Sequence, residues 1–126
     1  MPDDYRIRRI LQIIEDDPSK SITELASRMN LSSSRLGHLF RTQVGVDLEG
    51  FLRNARLERA ATLLRTTELS IKEIAAQVGY HHASSLDRGF KQKFDLEPAD
   101  YRKKQRDQAD AQSLEDVLFD RNSGQR

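Results

Sequence analysis

Part of this chain is written twice. Ile22-Thr23-Glu24-Leu25-Ala26 is answered 49 residues later by Ile71-Lys72-Glu73-Ile74-Ala75, and Met29, Asn30 and Leu31 by Val78, Gly79 and Tyr80. Beyond that point the interval becomes 50, so that Leu36 pairs with Leu86, Phe40 with Phe90 and Phe51 with Tyr101. One residue has therefore been inserted into the turn of the second copy. A unit present only twice is too short an array for a solenoid, and the duplication instead predicts two paired subdomains of the same local design.

Each copy reads as helix, tight turn, helix. Ser21-Ile22-Thr23-Glu24 and Ser70-Ile71-Lys72-Glu73 have the form of a capping box, in which the serine accepts a backbone N–H and the glutamate returns the bond. Apolar residues then recur at helical spacing, at Ile22, Leu25, Ala26 and Met29 and again at Ile71, Ile74, Ala75 and Val78. The first helix ends at Asn30 in one copy and at Gly79 in the other, the two residue types that best tolerate a left-handed backbone. The second helix carries Leu36, Leu39, Phe40 and Val44, or Leu86, Phe90 and Phe94, on one face.

Three more helices are expected. One runs from about Asp4 to Asp16, with Ile7, Ile10, Leu11 and Ile14 on one side and Pro18 closing it. Another runs from about Leu48 to Arg65 with two apolar stripes, Leu48–Phe51–Leu52–Ala55 and Leu57–Ala60–Ala61–Leu64. A helix apolar on two sides has neighbours on two sides, so this one should join the copies rigidly. The last begins at Pro98, a favoured first helical residue, with Tyr101 facing inward. The pattern then lapses until a short helix over 114–119, and Ser123 to Arg126 should fray. The fold expected is all-α, with about seven helices: two helix-turn-helix subdomains of homeodomain-like kind joined by a long connecting helix. The divisions fall at 1–46 (first helix and first helix-turn-helix), 47–66 (connecting helix), 67–106 (second helix-turn-helix) and 107–126 (tail).

Composition narrows the function. The 126 residues include no cysteine, which removes disulfides and thiolate metal sites and suits a reducing cytoplasm. No apolar run approaches the roughly 18 residues needed to span a bilayer, and Met1-Pro2-Asp3-Asp4 lacks the features of a signal peptide, so a cytoplasmic location is expected. The net charge is only +1, but residues 20–106 hold 16 Lys/Arg against 10 Asp/Glu, while 1–19 hold three against five and 107–126 two against five. A basic centre between acidic ends permits phosphate binding. No nucleophile–base constellation, phosphate-cradling glycine loop or metal-ligand cluster stands out, so neither an enzyme nor a cofactor is expected. His81-His82 reads as a turn and helix start, because adjacent helical residues point in different directions.

A helix-turn-helix unit places its second helix in the major groove of duplex DNA. The candidate recognition helices are Ser33–Val44 and His82–Phe94. In the second, Arg88 can bridge guanine O6 and N7 with two donors, and Ser34, Ser84 and Ser85 can bond a base or a phosphate. Arg41, Lys91 and Lys93 stand where long cations reach the phosphate backbone, and Ser33 at the helix start joins them. Two such units held side by side by a rigid helix would let a monomer address two major-groove segments about 34 Å apart, one helical turn. Arg56 and Arg59, inside the connecting helix, are expected to pair with Glu58 or other neighbours, or else to meet phosphate.

With these residues in place, the chain resembles the DNA-binding domain of the AraC/XylS regulators over about residues 5–106. In the first half Leu25-Ala26, Ser32, Leu36, Leu39-Phe40, Gly45, Phe51-Leu52 and Arg56-Leu57-Glu58-Arg59-Ala60 fall where that family has them. In the second half the matches are Ile71, Ile74-Ala75, Val78-Gly79-Tyr80, Ser84, Arg88, Phe90-Lys91, Pro98 and Tyr101-Arg102. Phe94-Asp95-Leu96-Glu97-Pro98 is more similar to the small stand-alone members. The resemblance implies base-facing residues at Ser34, Gly37, His38, Ser84, Ser85 and Arg88, and action by placing RNA polymerase at a promoter. This chain departs from its relatives in offering a serine, a glycine and a histidine in the first set and in carrying Asp87. Those departures leave a second reading, a protein-interaction adaptor that keeps the fold with weakened base readout. No small-molecule domain fits within the chain. Control then comes through abundance, as the stand-alone relatives imply, or the chain is one piece of a longer regulator.

Overall fold

The computed structural model describes residues 3–123, with side chains to residue 118. Among these residues there is no strand, and the helices run in the order α1 (Tyr5–Asp16), α2 (Ile22–Arg28), α3 (Ser33–Val44), α4 (Leu48–Thr66), α5 (Ile71–Val78), α6 (Ala83–Phe94) and α7 (Pro98–Ser123). Their ends obey local chemistry. Asp4 caps α1 by accepting the Arg6 amide at 2.8 Å, and Ser32 caps α3 by accepting that of Arg35 at 3.1 Å. Asn30 (φ 56°) and Gly79 (φ 103°) turn the chain out of α2 and α5 in the left-handed region. In both copies the next amide then bonds back into the helix, Leu31 N to Ala26 O at 3.0 Å and Tyr80 N to Ala75 O at 2.8 Å.

The two capping boxes are not equivalent. Around α5 both bonds form, Glu73 N to Ser70 Oγ at 3.0 Å and Ser70 N to Glu73 Oε1 at 3.2 Å. Around α2 only the serine half is present, with Glu24 N to Ser21 Oγ at 3.1 Å. The expected second half of that box is therefore corrected: the exposed Glu24 carboxylate stays in water, where solvation competes well with a single exposed bond.

The duplication reaches further than the helix-turn-helix units. Ile7, Ile10 and Ile14 of α1 recur 50 residues later as Leu57, Ala60 and Leu64 of α4, all buried. Likewise Leu48 and Phe51 at the start of α4 recur as Pro98 and Tyr101 at the start of α7. Each half is thus a four-helix unit, and α4 closes the first while opening the second. Its two stripes separate cleanly. Leu48 and Leu52 join Ile7, Ile10, Leu25, Leu36 and Phe40 in one core, whereas Leu57, Ala60, Ala61 and Leu64 join Ile74, Val78, Leu86 and Phe90 in the other. The aromatic pairing is repeated as well, with Phe40 and Phe51 centroids 5.3 Å apart and Phe90 and Tyr101 centroids 5.1 Å apart.

Arginines close the open ends of helices. Arg59 Nη2 donates to the carbonyls of Glu15 and Asp16 at 2.7 and 3.2 Å, covering the C-terminus of α1. Arg102 does the same for α4, reaching Leu64 O at 3.1 Å and Thr67 O at 3.2 Å. A cation over a helix C-terminus satisfies orphan carbonyls and opposes the negative end of the dipole.

The tail departs from expectation. In place of a lapse and a separate short helix over 114–119, α7 runs unbroken from Pro98 to Ser123. The apolar period is lost after Tyr101 because side chains 106–118 are all exposed. The segment nonetheless holds Lys, Gln, Arg, Ala and Glu in quantity, has no Gly or Pro before Gly124, and gains pairs such as Gln112 to Asp116 at 3.1 Å. Propensity and such i,i+4 pairs keep an exposed helix going. Of the stretch expected to fray, Ser123 is the last residue of α7 and 124–126 lie outside the described residues.

Candidate nucleic-acid interface

Successive residues of a helix turn by about 100°, so the buried residues of α3 and α6 define which side chains face away. In α3 Leu36 and Phe40 are buried, with Val44 half-buried beside them, and in α6 Leu86 and Phe90 are buried, with Phe94 half-buried. The opposite face carries Ser34, Arg35, His38, Arg41 and Thr42 on α3, and Ser84, Ser85, Arg88, Lys91 and Gln92 on α6. These are the same five register positions, 50 residues apart. All are exposed except Ser85, which is half-buried.

Most of the residues singled out from the sequence gather here. Ser33, at the start of α3, is exposed beside them. Gly37 and its counterpart Asp87 lie at the edge of the face and are half-buried. A Cβ on Gly37 would meet nothing within 4 Å, so the fold itself does not require glycine there. Lys93 is different. Its ammonium is turned back onto α4, where it pairs with Glu58 at 3.2 Å and donates to Asn54. His81 and His82 are exposed, and no group of three or more metal-ligating side chains occurs among the described residues.

Three residues of this face were missed: Arg35, Thr42 and Gln92. Reading the duplication across both recognition helices finds Arg35, since Ser85 marks its register in the sister copy, whereas Thr42 and Gln92 are each other's counterparts and were missed together. Arg35 shares a groove of about 310 Å³ with Ser34, His38 and Arg6. The Thr42 hydroxyl donates to His38 O at 2.9 Å, which satisfies it within the helix.

What fixes one unit against the other is a junction built on Arg56, in the middle of α4. Its guanidinium donates to Pro18 O at 2.8 Å and Lys20 O at 3.1 Å, holding the turn after α1. The same group lies 6.0 Å from the ring centroid of Tyr80, which follows α5. Burial disfavours the charge on Arg56 and lowers its pKa from the usual arginine value, and burial likewise raises that of Tyr80. Arg56 thus forms neither the ion pair with Glu58 nor the free phosphate contact weighed from the sequence: its polar reach is taken by backbone carbonyls. Around it Ser21, Thr23, Glu49 and Arg53 line a cleft of about 340 Å³ between the units.

An all-helical chain with two equivalent, outward-facing second helices, related by a shared α4, is a tandem helix-turn-helix protein. The profile described as a helix-turn-helix domain matches residues 25–104, and one described as winged helix-turn-helix DNA-binding matches residues 3–38. The chain belongs to the AraC/XylS-type helix-turn-helix family. Regulatory protein SoxS of Salmonella typhimurium is 35% identical over 98 residues, covering 76% of this chain and 92% of SoxS. The arabinose operon regulatory protein of Escherichia coli is 34% identical over 104 residues, covering 80% of this chain and 36% of that protein. The transcriptional regulator MtrA of Neisseria gonorrhoeae is 30% identical over 102 residues, 79% of this chain and 34% of MtrA. The chain therefore spans about a third of the length of the last two relatives. Among solved structures, the C-terminal domain of the response regulator yesN of Fusobacterium nucleatum superposes with a TM-score of 0.70 at 32% identity, covering 79% of this chain and 99% of its own. The DNA-binding domain of AdpA, solved with a target DNA, shares the fold with a TM-score of 0.72 at 24% identity, covering 82% and 95%.

Proposed function

We propose that the chain is a sequence-specific regulator of transcription that binds double-stranded DNA, entering successive major-groove segments with α3 and α6. The observation that carries this reading is the repetition of one outward face in both helices, five matched positions rich in hydroxyl, amide and cationic groups. Arg88 is assigned to a guanine, with Ser84 and Ser85 beside it, while Ser34, Gly37 and His38 face bases from α3. Arg41, Lys91 and Ser33 hold phosphates. Lys93 serves α4 instead, and contributes to DNA binding only if the pair with Glu58 opens.

The chain would act as a monomer on DNA, in the cytoplasm with the nucleoid, and would place RNA polymerase at promoters. Support for the regulatory role comes from the names of the relatives; support for two-site binding comes from the shared helix and the Arg56 junction. The test is selection of bound duplexes from a random library by the whole chain. Enrichment of a motif with two parts about one helical turn apart is expected, together with affinity that falls steeply as salt rises. Binding that ignores salt, or selection that enriches nothing, would overturn the proposal and favour the adaptor.

A further inference from the structure

The first 19 residues carry a net negative charge, yet their three arginines are not scattered. Arg6, Arg8 and Arg9 all occupy the first two turns of α1, while Glu15 and Asp16 occupy its last turn. This arrangement opposes the helix dipole at both ends, since α1 has no acid in its first turn and no base in its last. Charges held against local preference are what a surface shaped for binding carries.

The arginines line a groove of about 620 Å³ between α1 and the end of α2, where Arg28 and Asn30 face them. Arg6 also borders the smaller groove that holds Ser34, Arg35 and His38, so the two grooves meet at Arg6. Arg6 is neutralised by Asp4, whose Oδ2 lies 2.9 Å from Nη2, and Arg8 donates to Asp3 O at 2.8 Å. Arg9 and Arg28 are exposed, and among the described residues neither side chain has a hydrogen-bond or ion-pair partner. Tyr5, 70% exposed, adds a hydroxyl at the rim.

We infer that this groove is a phosphate-backbone site for duplex DNA. Arg9 and Arg28, continued by Arg35, hold the strand that flanks the segment entered by α3. The inference rests on the DNA-binding reading above. Long, exposed cations without partners, leading away from a recognition helix, suit phosphate rather than bases, because phosphate contacts need charge and reach but no fixed register with a base edge. The site would lengthen the footprint on the α3 side without adding sequence preference, and would offset the weak base-reading set Ser34, Gly37 and His38.

The test compares the whole chain with Arg9→Ala/Arg28→Ala on duplexes bearing the selected motif, with the flank on the α3 side extended in steps. The wild type should gain affinity as the flank lengthens, and the variant should not. Removing two phosphate contacts should lower the slope of log affinity against log salt by about 2. Between about 50 and 200 mM salt the wild type should therefore lose about tenfold more affinity than the variant. Base preference should be unchanged, and Arg9→Lys/Arg28→Lys should behave like the wild type. If the alanine variant keeps the salt slope and flank dependence of a wild type that binds its motif, the groove proposal fails alone. That is also the result expected if the groove serves an acidic protein surface. If the wild type binds no duplex, both readings fall together.

Discussion

Gly79 lies so close to the turn after α1 that a Cβ on it would come within 2.9 Å of Ser19 Cα and 3.0 Å of Ser19 O. This is where the second helix-turn-helix unit rests on the first. Gly79 also has φ 103°, where any side chain is strained, and Gly45 has φ 89° but open space around it. The pair separates two effects. Gly45→Ala should cost about 1–2 kcal/mol in urea unfolding, the cost of a left-handed alanine. Gly79→Ala should cost clearly more, since backbone atoms of Ser19 cannot swing away as a flexible side chain would. Equal losses at both positions would mean that the contact with Ser19 relaxes freely.

Arg56 offers a second handle on the same junction. Lysine at this position keeps the charge but cannot span two carbonyls with a planar fork. Arg56→Lys should destabilise the chain by about 1–3 kcal/mol, the range for losing a charge-assisted bond in a half-buried place. Its effect on DNA should depend on geometry. Binding to a duplex carrying one half of the motif should hardly change, binding to the full motif should weaken, and tolerance of altered spacing between the halves should grow. A uniform loss on half and full motifs would show that the junction stabilises the fold without setting the distance between α3 and α6.

Much of this architecture is legible in the sequence because it is repeated there. Each apolar position in one copy is checked by its partner in the other, and the two stripes of α4 state in advance that it serves two cores. That α4 also repeats α1 was nevertheless missed, since Ile10 and Ile14 recur as Ala60 and Leu64, which match in burial rather than in identity. The length of α7 was missed for a different reason: periodicity reports burial, and a helix without a buried face leaves no period to read. At the candidate site the sequence put Arg88 and its neighbours on the outward face, where they lie, but it also counted Lys93 among the phosphate candidates, because nothing local reveals that Asn54 and Glu58 stand opposite. Arg9 escaped notice in a segment that is acidic on balance and Arg28 in one that is basic on balance, since a net charge does not say which face each charge occupies.

Gly37 tests whether base reading by α3 uses backbone proximity. A Cβ there meets nothing within 4 Å, and alanine is favoured over glycine inside a helix by up to about 1 kcal/mol. Gly37→Ala should therefore raise the urea midpoint by a corresponding amount. If DNA comes close to α3 at this point, as the resemblance to the family implies, affinity should fall while stability rises. A variant that is more stable and binds equally well would remove Gly37 from the base-facing set and leave base reading on α3 to Ser34 and His38.

Arg88 and Lys91 sit one turn apart on α6, both exposed, yet they should fail differently when truncated. Arg88 projects from the centre of the outward face, directly opposite Leu86 and Phe90, where two donors can engage a guanine edge. Arg88→Ala should cost about 1–3 kcal/mol of binding and relax preference at a single base pair, with other positions of the motif unaffected. Lys91 projects from the flank of that face and has only charge to offer. Lys91→Ala should weaken all duplexes alike and reduce the salt slope by about 1. Competition binding against single-substituted duplexes at two salt concentrations measures both. Should the Arg88 variant lose affinity evenly across every substituted duplex, its guanidinium holds phosphate as Lys91 does, and sequence must be read by Ser84, Ser85 and Gln92 instead.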